Sequence, residues 1–408
     1  MVVAHVGPPV ARIGGPAGYL HQLKSAASAD ARPRHDVRFP APVGARARTS
    51  PSSARPLSVF TRLRRKLFGP RFYRPSAEDL KRPGGVVDRM LREMGLMVRS
   101  ETQPSLASAI ADADLIYTHD LFSAESALAE RRPGQQVWAM CHGVMPMGLY
   151  AAWSWGVPEA DWRELVELPD VRASIEWETG VWRRVDGIVL PCPEAGDSYR
   201  QIDVRFSDVF ARARFILSGA SAPPKAGGAD LPGPRTADHR VGLYLGNPEP
   251  YRGLDALVAG IRALPADSNV TIAVAGPDPA RLPAHPAIKA LGRVEDVRSL
   301  LETVNFVINV NRFSLFDLST IEAVEVGKPL LLHATGGNRA FERLGAGCMM
   351  LPDITPAAIA GGLARMAALD ASALSALGRA SRACWETQLT PQHMWQRHLD
   401  FYDTLEDV

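Results

Sequence analysis

The sequence predicts an α/β protein with two domains, each built on a parallel β-sheet. Short apolar segments, such as residues 241–245 and 306–309, alternate with segments of helical periodicity. Strands that are apolar throughout are typical of parallel sheets covered by helices on both faces. The chain has 408 residues, which exceeds the size at which one hydrophobic core keeps growing. We therefore expect two such sheets, one in each half of the chain.

The composition is that of an ordinary globular protein, with 46% hydrophobic residues and a formal net charge of +2. No apolar segment reaches the roughly 18 residues that a membrane-spanning helix needs. Residues 1–7 lack the basic flank and apolar core of a signal peptide. We therefore expect a cytoplasmic protein. The near-neutral charge and the lack of a recognition motif argue against a nucleic-acid partner.

The four cysteines are widely scattered and show no CxxC spacing. They are Cys141, Cys192, Cys348 and Cys384. We expect them to be reduced and mostly buried, with no metal or disulfide role.

The N-terminal half begins with a strand at residues 2–6, a glycine loop at Gly14-Gly15 and a helix from about residue 19 to 27. Residues 32–74 contain twelve basic residues and one acid, a pattern that favours loop structure. Helical periodicity returns at residues 86–97. Later elements are a helix at 172–185, a strand at 187–190, a short helix from 194 and a strand at 215–217.

Two predicted strands, at residues 114–118 and 136–141, end directly before a histidine, His119 and His142. Ligands of open parallel sheets bind outside the carboxyl ends of the strands. Both histidines are therefore candidate site residues, and a structural role at a strand end is the alternative for each.

The Pro/Gly-rich stretch at 223–235 marks a domain boundary. After it, strands at 241–245, 270–275 and 306–309 alternate with helices at 254–264 and 294–304. The tail at 371–407 is predicted to be largely helical.

The loop from Gly246 to Gly253 joins the first strand of this second domain to its first helix. Backbone N–H groups and the helix dipole favour an anion at such a junction, and Arg252 adds a bidentate phosphate donor. A Gly/Pro turn with a solvated arginine is the alternative.

A second candidate follows the strand at 306–309, where a polar loop leads to a short helix that carries Glu322. We place Glu322 near the helix start, with Asp317, Ser319 and Thr320 ahead of it as caps or ligand donors. Glu322 either caps the helix or accepts hydrogen bonds from ribose hydroxyls.

These residues resemble the retaining nucleotide-sugar glycosyltransferases of the two-Rossmann-domain (GT-B) type, most closely glycosyltransferase family 4. The resemblance covers nearly the whole chain and is strongest in residues 241–352. Gly246-Asn247 and Arg252-Gly253 keep the spacing of the family's basic residues that grip the donor diphosphate. Arg252 preserves one charge, whereas Asn247 loses the other.

The family's second hallmark is a pair of glutamates spaced like Ser314 and Glu322. Glu322 matches the second glutamate, which implies a ribose ligand, and Phe316 and Leu318 match the residues between the two. Ser314 replaces the first glutamate, which faces the donor sugar and its phosphates. Asp317 replaces a glycine, and we expect it to restore a carboxylate from the neighbouring position.

Weaker matches follow in order along the chain. Gly14-Gly15 resembles the glycine loop that approaches the donor phosphate, and Val294 lies in the segment whose backbone meets the base. His119 matches the strand-end histidine near the transferred sugar, and Gly336-Gly337 matches a diglycine later in the pattern.

The resemblance implies an N-terminal Rossmann-like acceptor-binding domain at residues 1–222 and a linker at 223–239. A nucleotide-sugar-binding Rossmann-like domain follows at 240–385, and we expect a C-terminal helix at 386–408 to cross back to the N-terminal domain.

The implied function is transfer of a sugar, with retention, from a nucleotide-sugar to a glycan or lipid-linked acceptor in surface polysaccharide or glycolipid synthesis. Arg252 would stabilise the leaving diphosphate, His119 would orient a sugar hydroxyl or the acceptor, and no metal or other cofactor would be needed. Asn247 and Ser314 keep an alternative open, a catalytically degenerate GT-B protein that acts as a binding or assembly partner. A different GT-B chemistry, such as an epimerase reaction, is a third.

The basic segment at residues 60–74 combines arginines and a lysine with aromatic residues. It fits docking on an anionic membrane surface, at the inner face of the cell membrane, where a lipid-linked acceptor would lie. A solvated loop is the alternative.

Overall fold

The computed structural model describes residues 1–8, 10, 15–40, 106–158, 160–225, 239–265 and 268–406. Gly14, the predicted helix at 86–97 and the basic segment at 60–74 lie outside these residues.

Twelve strands lie in the described residues. They are β1 (Val2–Val6), β2 (Asp36–Arg38), β3 (Leu115–Thr118), β4 (Gln136–Met140), β5 (Gly187–Leu190), β6 (Ala213–Phe215), β7 (Arg240–Leu245), β8 (Val270–Ala275), β9 (Ile288–Gly292), β10 (Phe306–Asn309), β11 (Leu330–His333) and β12 (Cys348–Leu351).

Helices follow most of the strands. The described α-helices are α1 (Gly15–Ala29), α2 (Ala107–Ile110), α3 (Leu121–Glu130), α4 (Met147–Tyr150), α5 (Trp162–Val166), α6 (Pro169–Arg184), α7 (Asp197–Ile202), α8 (Arg205–Phe210), α9 (Leu254–Arg262), α10 (Val297–Thr303), α11 (Leu318–Glu325), α12 (Asn338–Arg343), α13 (Pro356–Ala368), α14 (Ala371–Cys384) and α15 (Pro391–Glu406).

The strands form two six-stranded sheets, in the orders β2-β1-β3-β4-β5-β6 and β12-β11-β10-β7-β8-β9. The pairings are parallel, as in the register of Val3 with Leu115 in the first sheet and of Phe306 with Gly242 in the second. The predicted fold class, parallel sheets flanked by helices, is confirmed.

The chain divides into two compact units, Met1–Pro9 with Asp36–Ile188 and Val10–His35 with Val189–Val408. The predicted domain boundaries stay a prediction. Within the second unit α15 packs on α1, where Tyr19 Oη lies 2.6 Å from His398 Nε2. Trp395 Nε1 donates to Asp30 Oδ2 at 2.9 Å, so aromatic residues of α15 fix it to α1.

The second sheet is covered by α9 and α13, which pack against each other through fully buried side chains. Leu257 and Ile261 of α9 and Ile359 and Leu363 of α13 are each 0% exposed. Their spacing of four residues places each pair on one helix face. These side chains share one buried cluster with Tyr244 near the end of β7 and Ile308 near the end of β10.

Several predicted boundaries were wrong. The helix predicted from residue 19 begins at Gly15, and the last strand before the linker lies at Ala213–Phe215. The sequence pattern also missed β2, β9 and β12. These strands lie at or near sheet edges, and their charged, sulfur-containing or half-exposed residues weaken the apolar signal.

All four cysteines are free; three of them are buried, as predicted, and Cys348 is partly exposed. Among the described residues, no single helix is both long and apolar enough to cross a membrane. Pro356–Ala368 with Ala371–Glu406 passes that test only as a pair, which bends by 107°.

Candidate functional site

A small pocket opens where β7 and β10, neighbours in the second sheet, reach their carboxyl ends. Its lining combines aromatic, aliphatic and amide side chains with one arginine. The lining residues are Tyr244, Leu245, Arg252, Val307, Ile308, Asn309, Asn311, Ser319 and Thr320. Because ligands of open parallel sheets bind at this edge, the pocket is the candidate functional site.

Arg252 is the cation of this pocket. It ends a 3₁₀ turn, Pro250–Arg252, and Gly253 follows with φ +67° before α9 begins. A Cβ atom on Gly253 would lie 2.2 Å from the carbonyl oxygen of Val310, so a glycine is required for the two loops to approach. The tight junction aims the Arg252 side chain into the pocket.

The guanidinium of Arg252 is mostly buried and incompletely satisfied. Its Nε is buried and has no hydrogen-bond partner among the described residues. Burial works against its charge, but the attraction of Asp317 and of nearby tyrosines outweighs this and raises the pKa of Arg252. Because buried donors are normally hydrogen-bonded, the unpartnered Nε is a donor that a ligand oxygen can satisfy.

Asp317 lies beside Arg252, with its Oδ2 3.8 Å from Arg252 Nη1. The same oxygen accepts hydrogen bonds from Asn309 Nδ2 at 2.9 Å and from Asn311 Nδ2 at 2.6 Å. Asp317 occupies the N-cap position of α11 but makes no side-chain capping bond there. The carboxylate is therefore fixed by two amides that line the pocket.

Ser314 lies deeper. It is 0% exposed, and its Oγ donates to Asn338 Oδ1 at 2.9 Å. Asn338 Nδ2 in turn donates to Asn309 Oδ1 at 3.3 Å, which joins Ser314 to the amides that hold Asp317. The role predicted for Ser314 in donor binding stays a prediction, since its described side-chain contact lies inside this network.

Glu322 lies in the second turn of α11, which begins at Leu318, so its predicted place at the helix start was wrong. Burial, and then the charge of Glu325, raises the pKa of Glu322 to about 8. No described residue hydrogen-bonds to its carboxyl group, which remains partly exposed. A partly exposed carboxyl group without a protein partner can bind ligand hydroxyls.

The other predicted donor residues are spread around the second unit. Phe316 is 3% exposed and stacks on Phe341 at 4.4 Å between ring centroids. Leu318 and Ser319 open α11 and are half-buried, and Asn247 is exposed in the loop after β7. Of these residues, Ser319 lines the pocket.

Two further predicted residues stand apart from the pocket lining. Gly15 is the exposed first residue of α1, and Val294 follows β9 and is half-buried. The diglycine Gly336-Gly337 lies where two backbone segments approach each other closely. There Gly337 N donates to the carbonyl oxygen of Ser314 at 2.9 Å. That contact holds the loop that leads to Asp317.

The sequence prediction missed the buried amides Asn309, Asn311 and Asn338. A signal was present, because Asn309 and Asn311 interrupt an otherwise apolar strand end. Buried amides persist only when they are hydrogen-bonded, so such residues indicate a polar network.

In the first unit, the predicted histidines His119 and His142 are in contact, with 2.9 Å between His119 Nδ1 and His142 Nε2. His5, which the sequence prediction missed, lies 2.8 Å from His119 Nε2 through its Nδ1. The sequence did indicate it, because His5 is the single polar residue in the otherwise apolar strand β1. Burial lowers the pKa of both His5 and His142 to about 3, so both rings are neutral at neutral pH.

Residues 239–368 match the family described as glycosyl transferases group 1. The match includes the Arg252 loop, Asp317 and Glu322. Comparison with curated proteins found no match.

Solved structures resemble the whole chain. Sucrose-phosphate synthase from Thermosynechococcus elongatus aligns with a TM-score of 0.64 at 16% identity, over 100% of this chain and 99% of that one. HepE from Anabaena, solved in complex with UDP and glucose, aligns with a TM-score of 0.60 at 14% identity over 100% of both chains.

WaaG, a glycosyltransferase involved in lipopolysaccharide biosynthesis, gives a TM-score of 0.54 at 12% identity, over 98% of this chain and 99% of that one. At these identities the likeness establishes the fold, which is the two-domain Rossmann-like GT-B fold.

Proposed function

We propose that the protein transfers a sugar from a nucleotide-sugar donor to a glycan or lipid-linked acceptor, with retention of the anomeric configuration. The observation that carries the proposal is Arg252. It is a mostly buried guanidinium with an unpartnered Nε, at the carboxyl edge of a sheet that matches the glycosyl transferases group 1. A diphosphate supplies the anionic oxygens that such a group lacks.

In this proposal Arg252 and the backbone N–H groups at the start of α9 stabilise the charge that develops on the leaving diphosphate. Preorganised donors of this kind usually supply the largest catalytic effect. Glu322 binds the ribose hydroxyls, and Asp317 binds a hydroxyl of the donor sugar in place of the glutamate that Ser314 replaces. Asn311 and Asn309 hold the Asp317 carboxylate in position for this.

The proposal needs no dedicated metal, because Arg252 and N–H groups act in place of a cation. Transfer should therefore persist in excess EDTA. Loss of transfer in EDTA, with recovery on adding Mg²⁺, would show that a divalent cation replaces the charge that Asn247 lacks.

We also propose that the protein acts in surface polysaccharide or glycolipid synthesis at the cytoplasmic face of the membrane. The basic segment at 60–74, outside the described residues, would bring it to an anionic surface. Neutralising Arg64, Arg65 and Lys66 should then reduce co-sedimentation with vesicles that contain phosphatidylglycerol. Unchanged sedimentation would contradict membrane docking. It would not bear on the proposed transfer reaction.

The test of donor binding is a thermal-shift screen against UDP-, GDP- and other nucleotide-sugars. A donor at 100 times its dissociation constant should add about 2.7 kcal/mol to the free energy of unfolding. The Arg252→Ala variant should lose most of this response. A matched control is Arg339→Ala, since Arg339 is 45% exposed and pairs with Asp197.

A specific observation favours the second candidate, a binding protein without transferase activity. The neighbouring Asp317 offsets the charge of Arg252, and Asn247 adds none. Donor stabilisation without sugar transfer or donor hydrolysis would support this candidate. No stabilisation by any donor would contradict both candidates.

A further inference from the structure

The loop that follows β10 contacts the turn that carries Arg252 on both sides of that residue. Before Arg252, the carbonyl oxygen of Tyr251 accepts a hydrogen bond from Arg312 N at 2.6 Å. After Arg252, a Cβ atom on Gly253 would lie 2.2 Å from the carbonyl oxygen of Val310. Arg252 therefore lies between two close backbone contacts with the same loop.

The side chain of Arg312 adds a third contact between these loops. Its Nη1 donates to the carbonyl oxygen of Pro250 at 2.7 Å. Nη1 and Nη2 also donate to the two carboxylate oxygens of Asp255, at 2.8 and 2.7 Å. Asp255 lies in the first turn of α9, so one planar guanidinium bridges the turn and the helix that follows it.

The same loop also holds the other side of the pocket. Asn311 Nδ2 donates to Asp317 Oδ2 at 2.6 Å. The backbone oxygen of Asn311 accepts from His333 Nδ1 at 2.7 Å, and that of Arg312 accepts from Thr335 Oγ1 at 3.0 Å. Two consecutive residues thus contact Asp317 and the turn that carries the cation, and both are fixed to the end of β11.

These contacts keep the two charges of the site apart. Arg252 Nη1 lies 3.8 Å from Asp317 Oδ2, whereas a hydrogen bond between such charged groups spans about 2.7–2.9 Å. If the turn moved, the guanidinium would close this gap and bond directly to Asp317. It would then offer fewer donors to an anionic ligand.

We infer that Arg312 is a positioning residue, which holds the Arg252 turn at a set distance from Asp317 and so keeps Arg252 available to an anionic ligand. The inference rests on the proposed function, in which that ligand is the donor diphosphate. Arg312 is not among the residues that line the pocket, so it acts through Arg252.

NMR of the donor-free protein tests the positioning directly. The ¹H–¹⁵N signal of Arg252 Nε, assigned by its loss in Arg252→Lys, reports the surroundings of this buried group. We expect Arg312→Lys to shift or broaden it, because a lysine ammonium cannot bridge Pro250 and Asp255 as the planar fork does. Asp255→Asn is the matched control, since its amide oxygen still accepts from Arg312. An unchanged signal in Arg312→Lys would overturn the inference.

Calorimetry with UDP, or with GDP if UDP does not bind, tests the consequence for the ligand. Arg312→Lys keeps the positive charge, so a loss of affinity cannot come from net charge. We expect this variant to bind about fivefold more weakly than the wild type, and Arg312→Gln to bind more weakly still. Wild-type affinity in Arg312→Lys would overturn the inference. All variants are compared after their thermal midpoints confirm folding.

A double-mutant cycle tests whether Arg312 acts through the distance between Arg252 and Asp317. In the Asp317→Asn background the counter-charge is gone, so Arg312→Lys should weaken nucleotide binding only about twofold. An equal loss in both backgrounds would overturn the inference. If neither UDP nor GDP binds the wild-type protein, the proposed function fails. The NMR measurement still decides whether Arg312 positions Arg252.

Discussion

Arg252 and Asp317 oppose each other at the edge of the second sheet, with 3.8 Å between Arg252 Nη1 and Asp317 Oδ2. Both side chains are largely buried, with 21% and 11% of their side-chain surfaces exposed. Arg252, the cation that lines the pocket, thus has its counter-charge beside it. A diphosphate that enters the pocket meets less positive potential than Arg252 alone would provide, whereas a neutral sugar meets both a donor and an acceptor.

Replacing Asp317 by Asn should separate these two effects. The amide oxygen can still accept from Asn309 and Asn311, so the network should persist while one negative charge is lost. We expect UDP to bind about fivefold more tightly, corresponding to about 1 kcal/mol. Sugar transfer should fall about tenfold, because a charged acceptor for the sugar hydroxyl is lost. Calorimetry and initial rates measure the two quantities.

Asp255→Asn is the matched control, since Asp255 is 71% exposed and pairs with Arg312. It should leave UDP affinity and transfer near the wild-type values. Weaker UDP binding in Asp317→Asn would contradict the charge argument, and an unchanged transfer rate would remove Asp317 from sugar binding.

The pH dependence of stability should report Glu322. Its pKa is raised to about 8 by burial and by Glu325, whereas the carboxyl group of an unfolded chain loses its proton near pH 4.3. Between these pH values the folded state binds more protons than the unfolded state, so the free energy of unfolding falls as pH rises. The decrease is complete above about pH 8. Glu178, with a pKa raised to about 8 by burial, acts in the same direction.

Glu322→Gln should therefore be more stable than the wild type at pH 8.5, by on the order of 1–3 kcal/mol, with a smaller difference at pH 5.5. It should bind donor more weakly, because the amide offers one acceptor oxygen in place of two. Urea unfolding at both pH values measures the first effect and the donor thermal shift the second. The exposed Glu342→Gln variant is the control, and equal gains in both variants would contradict the assignment.

The sequence predicted the sheets well because each central strand is a short apolar segment bounded by turn residues. Predicted strands at 187–190, 270–275 and 306–309 coincide with β5, β8 and β10. It predicted the site partly, because spacing identifies which residues occupy a loop but not where their side chains point. Asp317 turns to Asn309 and Asn311 instead of capping α11, a preference set by amides from β10 and the loop after it.

The contacts among His5, His119 and His142 show the same limit. His119 and His142 were predicted from strand ends, but their contact depends on strand order and on a third ring, His5, which is 114 residues from His119. Pairing between distant segments is not encoded in local periodicity. Neither the contact of His5 with His119 nor the burial that lowers the pKa of His5 was therefore accessible from the sequence.

Restoring the family glutamate at position 314 should not restore a donor ligand. Ser314 is 0% exposed and donates to Asn338, so Ser314→Glu would place a larger, charged group in a closed network. We expect it to lose about 3 kcal/mol or more of stability without any gain in transfer. Ser314→Ala should lose about 1–3 kcal/mol, because the Asn338 oxygen is left unsatisfied. A stable and more active Ser314→Glu enzyme would place this side chain at the donor.

Gly253→Ala should damage the site through the backbone. Gly253 has φ +67°, and a Cβ atom there would lie 2.2 Å from the carbonyl oxygen of Val310, so the loops after β7 and β10 must separate. We expect the free energy of unfolding to fall by about 2 kcal/mol or more. The donor thermal shift should also be reduced, because Arg252 is the preceding residue.

Gly361→Ala is the matched control: Gly361 lies in α13 with no atom within 4 Å of an added Cβ. That change should stabilise the protein by up to about 1 kcal/mol. Equal effects of the two substitutions in urea unfolding would show that Gly253 is not required for the approach of the two loops.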